Sequence, residues 1–191
     1  MTLAILVIDL LTVGSGLHYE FGRPRDGKRK LRRVLDAAQA SNIPIMAFQY
    51  SPQGLAPDPL DKLVYDYVPR GEIATKGEYD AFVNTGLAER LQQAGVDAVL
   101  VAGFDRDHCV LQTAKGALEW GFKVLASEHL MFTTIPWPRE SCRRLWSLAY
   151  FRENTTYFDS LSDLISYLKT MKQDQSLAEA MTPTAFAEYP Q

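Results

Sequence analysis

From Ala98 to Ala117 the chain reads Ala-Val-Leu-Val-Ala-Gly-Phe-Asp-Arg-Asp-His-Cys-Val-Leu-Gln-Thr-Ala-Lys-Gly-Ala. Few other local structures suit this order. The β-branched and apolar run Ala98 to Gly103 has the length and composition of a buried strand, and Gly103 ends it. Val110, Thr113, Ala114, Ala117 and Leu118 then repeat at helical spacing. The stretch therefore predicts a strand, a tight polar turn and a helix that begins at Cys109. A cysteine in the first helical turn sits among unpaired N–H groups at the positive end of the macrodipole, which favours its thiolate. On position alone Cys109 is a candidate nucleophile, although an ordinary free cysteine is a small buried hydrophobe.

The same alternation continues along the chain. Strand patterns occupy Leu3–Asp9, Pro44–Tyr50, Lys123–Ser127 and Thr155–Phe158. Helical patterns occupy Gly27–Ser41, Thr85–Ala94, Pro138–Tyr150 and Ser160–Thr170. Ser160 and Asp163 have the spacing of a capping box. Ser51–Gly71, with four prolines, reads as an irregular connection. Continuously apolar strands alternating with helices imply a mainly parallel sheet covered on both faces, a Rossmann-like three-layer α/β/α sandwich. The domain is expected over residues 1–170, with 171–191 as a tail, mobile or packed on a neighbouring subunit.

Composition narrows the function. With 47% hydrophobic residues, the 191 positions suffice for one well-filled α/β domain. A net charge of −3 argues against nucleic acid or an anionic membrane as the main partner. Two cysteines make no disulfide framework, and the apolar start, Met1 to Asp9, is too short to span a membrane and unlike a signal peptide. The expectation is a soluble, cytoplasmic protein. Leu10-Leu-Thr-Val-Gly-Ser-Gly16 carries no dinucleotide fingerprint, and no cofactor is expected.

In a parallel sheet, Asp9 stands at the end of the first strand and Cys109 beyond another. Lys76 lies in Ile73-Ala-Thr-Lys-Gly-Glu-Tyr-Asp-Ala-Phe82, where a short apolar piece meets a turn. A carboxylate beside a thiol can accept its proton, and an ammonium between them keeps the carboxylate ionised. Singly, Asp9 is as readily a turn residue and Lys76 a surface lysine.

Leu6-Val-Ile-Asp9, then Lys76 with Tyr79-Asp-Ala-Phe82 and Thr85, then Val101-Ala-Gly-Phe-Asp-Arg-Asp-His-Cys-Val110 with Thr113-Ala114, resembles the isochorismatase-like cysteine hydrolases. The resemblance runs from about Leu3 to Leu168. It implies Asp9 as general base, Lys76 as orienting cation and Cys109 as nucleophile. It also implies a non-proline cis peptide at Phe104–Asp105, and an oxyanion hole from the backbone N–H groups of Asp105 and Cys109. The implied reaction is hydrolysis of a C–N bond in a small amide, carbamoyl or ureido compound through a thioester, in a homo-oligomer. Two rivals stand beside it: a vinyl ether hydrolase, whose practitioners generally lack the thiol, and a non-catalytic binding or scaffold member.

The chain also departs from that family's pattern. Leu11 stands where a Gln is frequent. Residues 49–68 contain no histidine, and with only His18, His108 and His129 no metal centre is expected. Arg106 either clamps a substrate carboxylate or pairs with Asp105 or Asp107. Tyr50, Phe104, Phe21 and Trp137 are candidate pocket residues. His108 reads as a supporting group rather than a partner of the thiol, and Cys142 as inert.

Overall fold

The computed structural model describes residues 1–10, 24–52, 56–57, 59–133, 140–174 and 177. Among them, seven strands form one all-parallel sheet: β1 (Leu3–Ile8), β2 (Ile45–Tyr50), β3 (Ala74–Lys76), β4 (Ala98–Phe104), β5 (Lys123–Ala126), β6 (Met131–Phe132) and β7 (Thr156–Tyr157). The order is β3-β2-β1-β4-β5-β7, with β6 pairing the far end of β4. The chain thus builds outward from β1 to β3, returns to the other side of β1, and builds outward again. The reversal falls between β1 and β4, and open α/β sheets place their crevice there, beyond the carboxyl ends of the strands.

Every residue of β1 and β4 is buried, as continuous apolar runs in a twice-covered sheet require. Leu3, Ile5 and Val7, with Ala98, Leu100 and Ala102, pack under α1 (Pro24–Gln39) and α6 (Leu161–Thr170). Ala4, Leu6 and Ile8, with Val99 and Val101, face α3 (Leu87–Gln93), α4 (Leu111–Glu119) and α5 (Glu140–Asn154). α1 turns Leu31, Val34, Leu35 and Ala38 inward, and all four are buried. Each of the Leu and Val side chains contributes roughly 1.5–3 kcal/mol. At the start of α6, Ser160 accepts a hydrogen bond from the Asp163 N–H at 3.4 Å, half of the expected capping box.

Among its described residues, the irregular connection after β2 contains a short helix, α2 (Lys62–Tyr65), and a 3-10 turn, Arg70–Glu72, before β3. β3 and β6 were not predicted: at three and two residues, neither is long enough to show a period. Among the described residues no helix is long and apolar enough to cross a membrane. Residues 171–174 lie on the domain, where Gln173 bonds both the N–H and the carbonyl of Leu3, at 3.0 and 2.9 Å. The rest of the expected tail, apart from Leu177, lies outside the described residues.

β1 and β4 approach each other closely at the crevice end. Gly103 has φ +119°, and a Cβ built on it would lie 1.9 Å from the Ile8 carbonyl oxygen. Only glycine fits both that conformation and that separation.

Candidate active site

Asp9 leaves β1 with φ +46°, a left-handed conformation that Asp tolerates better than most residues. Its own N–H bonds the Phe48 carbonyl at 2.9 Å, and its Oδ1 accepts the Tyr50 N–H at 2.5 Å. The carboxylate is thereby tied to the end of β2. Lys76, the last residue of β3, brings its Nζ to 2.8 Å from Asp9 Oδ2, with side-chain exposures of 0% and 3%. The same ammonium donates to the carbonyls of Glu78 at 3.1 Å and Tyr79 at 3.4 Å, and lies 5.0 Å from the centre of the Tyr50 ring. Burial raises the Asp9 pKa. Lys76, the Cys109 thiol and the Tyr50 N–H pull it down, but a net upward shift remains. A carboxylate held above its usual range is a better proton acceptor.

Cys109 comes from a π-helical turn, Arg106–Val110, that leads into α4. The Phe104–Asp105 peptide is cis. Asp105 caps the turn: its side chain accepts the Asp107 N–H at 3.3 Å, and its carbonyl accepts the Val110 N–H at 3.0 Å. The helical run therefore starts three residues before the predicted position, because the polar Asp-Arg-Asp-His segment is itself coiled. Cys109 is 7% exposed. Burial and the neighbouring Asp9 carboxylate push its thiol up to about 12, against the pull of Lys76 and of a backbone hydrogen bond from Asp105. This corrects the expectation of a thiolate. At rest the sulfur keeps its proton and donates it in a hydrogen bond to the Asp9 carboxylate. Cys109 should accordingly react slowly with iodoacetamide near neutral pH and faster towards pH 12, followed by mass spectrometry of the labelled peptide.

Asp9, Lys76 and Cys109 thus meet in one buried cluster. Other candidates lie elsewhere. Arg106 is not presented as a substrate clamp: its guanidinium forks onto Asp107 at 3.0 and 3.1 Å with 5% side-chain exposure. Phe104 is 7% exposed and belongs to the core under α1 and α6, since its position in β4 points it away from the thiol's side of the sheet. Tyr50 stays beside the cluster, half-buried, its ring 5.7 Å from that of Tyr79. His108 turns outward to Asp105, with Nδ1 at 3.0 Å from Oδ2, and not to the sulfur. Leu11, His18, Phe21, Trp137 and the side chain of Cys142 lie outside the described residues.

Sequence reasoning missed the support under Lys76. The segment after β3 is pinned to α4 by Thr113, whose Oγ1 accepts the Ala81 N–H at 3.1 Å and donates to the Tyr79 carbonyl at 3.5 Å. One turn on, Gly116 lets the Asp80 carboxylate lie against the helix, where a Cβ would come within 2.2 Å of it. Thr113 and Gly116 face this loop across more than thirty positions of sequence, and helical spacing alone marks them only as an inner face.

Residues 4–129 match the model of the isochorismatase domain. Over 57 residues the chain is 42% identical to a streptothricin hydrolase of Streptomyces noursei, a match covering 30% of this chain and 21% of that protein. The chain therefore spans about a fifth of that relative's length. An isochorismatase-like hydrolase from Alkaliphilus metalliredigens shares the fold with a TM-score of 0.73 at 21% identity, over 87% of this chain and 99% of that one. N-carbamoylsarcosine amidase from Thermoplasma acidophilum does so with a TM-score of 0.63 at 19% identity, over 82% and 95%. With most of its length matched by the family model and its sheet shared with these structures, the chain belongs to the isochorismatase family.

Proposed function

We propose that the protein is a cysteine hydrolase that cleaves the C–N bond of a small amide, carbamoyl or ureido compound, with Cys109 as nucleophile, Asp9 as proton carrier and Lys76 as the counter-charge. The observation that carries this reading is the buried Asp9–Lys76 pair at 2.8 Å with the Cys109 thiol hydrogen-bonded to its carboxylate. A buried thiol hydrogen-bonded to an adjacent carboxylate suits attack coupled to proton transfer. The similarity to a protein named as an amidase points to the same bond type.

In this mechanism the sulfur bonds to the carbonyl carbon as its proton passes to Asp9. The carbonyl π electrons move onto oxygen, to which the N–H groups of Asp105 and Cys109 donate hydrogen bonds. Asp9 returns the proton to the nitrogen, the C–N bond breaks, and the amine or ammonia departs from a thioester. Water then gives a proton to Asp9 and attacks the thioester carbon. Collapse breaks the C–S bond, and Asp9 reprotonates the sulfur as the acid leaves. Lys76, 2.8 Å from the carboxylate, favours the ionised form of Asp9 that begins each half-cycle.

The test is ammonia release from a panel of small amides and ureides by the wild type, Cys109→Ala and Cys109→Ser. Turnover of at least one compound by the wild type, falling by roughly 10⁴-fold or more in both variants, is the expected result. Turnover that survives in Cys109→Ala would remove the covalent mechanism.

A further inference from the structure

The Lys76 ammonium, with three N–H bonds to give, faces three oxygens: Asp9 Oδ2 at 2.8 Å, the Glu78 carbonyl at 3.1 Å and the Tyr79 carbonyl at 3.4 Å. Its four-carbon stem is flexible and does not choose that place by itself. The two carbonyls decide where the charge rests against Asp9.

One of those carbonyls is held from another element. Thr113, on α4 and fully buried, accepts the Ala81 N–H at 3.1 Å, and its own hydroxyl proton goes to the Tyr79 carbonyl at 3.5 Å. The Ala81 bond is the shorter and fixes the hydroxyl in the loop. The Tyr79 carbonyl has two lone pairs, shared between the ammonium and the hydroxyl. Inside a helix a threonine commonly donates back to the carbonyl four residues earlier, which here is that of Cys109. Thr113 gives its hydroxyl to the loop instead. The other polar group of Ala81, its carbonyl, accepts the Thr85 hydroxyl at 2.5 Å. Of these two hydroxyls, that of Thr113 is the one touching an oxygen that also holds the ammonium.

Resting on the reading of Asp9 as proton carrier, we propose that Thr113 is a positioning residue for the reaction: its hydroxyl fixes the Tyr79 carbonyl, the carbonyl fixes the Lys76 ammonium, and the ammonium sets how readily Asp9 gives up its proton. The titratable and charged side chains facing the ammonium, among the described residues, are Asp9 on β1, Tyr50 on β2, Cys109 on the turn before α4, and Asp80 on its own loop, which Glu119 of α4 faces in turn. Burial raises the proton affinity of Asp9, and Lys76 chiefly opposes it, so a slackened ammonium leaves Asp9 protonated to higher pH. Activity that needs the ionised carboxylate then sets in at higher pH. Burial and the Asp9 charge disfavour the Cys109 thiolate while Lys76 favours it, so the thiol should also react more slowly.

The test compares Thr113→Val, which replaces the hydroxyl with a methyl, with Thr113→Ser, which keeps the hydroxyl, and Thr85→Val, which frees the other side of Ala81. Three readouts are followed: the pH dependence of kcat/KM on an amide that the wild type hydrolyses, the rate of Cys109 alkylation by iodoacetamide at pH 9, and the melting temperature. In Thr113→Val the acid limb of kcat/KM is expected to move up by about half a pH unit or more, and alkylation to slow about threefold. This variant should also melt lower, because the Ala81 N–H loses its acceptor. Thr113→Ser is expected to restore the limb and to alkylate within about twofold of the wild type. Thr85→Val is expected to melt lower with the limb and the alkylation rate unmoved. An unmoved limb with unchanged alkylation in Thr113→Val overturns the proposal. So do a Thr113→Ser that behaves as Thr113→Val, and a Thr85→Val that shifts as far. If Thr113→Val does not fold, Thr113→Ala takes its place against Thr113→Ser with the same expected shifts. Alkylation needs no substrate, so a wild type that hydrolyses nothing defeats the hydrolase reading while the alkylation rates still judge Thr113.

Discussion

Lys76→Met is expected to abolish turnover and to cost the fold about 3–5 kcal/mol, the usual penalty for stripping one partner from a buried ion pair. At this chain length that corresponds to a fall of about 10 °C in melting temperature. The reason lies in what remains. Asp9 keeps the burial that raises its pKa and loses the neighbour that most lowers it, so its pKa climbs further. A protonated Asp9 cannot accept the thiol proton, and general-base help of this kind is worth roughly 10²–10⁴-fold in rate. The sign for stability follows. A folded-state pKa above the unfolded value means the native state holds the extra proton. Stability of the variant therefore falls as pH rises from the ordinary carboxylate range to the raised pKa, and is flat beyond it. Melting curves at pH 5 and pH 8 should show the larger deficit at pH 8. The double variant Asp9→Asn/Lys76→Met, which leaves no buried charge, should regain most of the stability and none of the activity. Equal stability of Lys76→Met and wild type at pH 8 would show that the pair is not buried as described.

Gly103→Ala should be severely damaging for the addition of one methyl group. The added carbon would meet the Ile8 carbonyl oxygen at 1.9 Å and its nitrogen at 2.7 Å, and the backbone there has φ +119°. Both obstacles are backbone atoms of the central strand, so no side-chain rotation relieves them. Overpacking of about 1–3 kcal/mol adds to a conformational cost of similar size, against a total stability of about 5–15 kcal/mol. The variant should be largely insoluble, or melt at least about 10 °C below wild type. Any soluble fraction should also lose activity, because Ile8 immediately precedes Asp9 and prising β1 from β4 separates the carboxylate from the thiol. A normal melt for Gly103→Ala would contradict the strand separation given above.

The central strands were legible because a sheet covered on both faces demands unbroken apolar runs, and Leu3–Ile8 and Ala98–Phe104 supply them. Asp9 and Cys109 were legible for the related reason that strand ends are where such runs stop and polar chemistry starts. Lys76 was harder. Its strand is three residues long, and nothing in its immediate sequence separates a buried lysine from a solvated one. What decided its role was order along the chain and the family likeness. The turn around Arg106 was read only in part. Whether a guanidinium forks onto the next residue or reaches outward depends on packing from α5, which is some forty residues away. The thiol's protonation was misjudged because the helix terminus is visible in sequence, whereas the burial and the facing carboxylate that outweigh it are products of the fold.

One helix is shared by two of the three clustered groups. α4 continues directly from the turn that bears the sulfur, and through Thr113 and Gly116 it also beds the segment whose carbonyls grip the ammonium. A substitution that shifts α4 would therefore be felt at the sulfur directly and at the ammonium through the carbonyls that hold it. Lys76 is also the last residue of β3, so the sheet links the ammonium to the carboxylate while the helix links it to the sulfur.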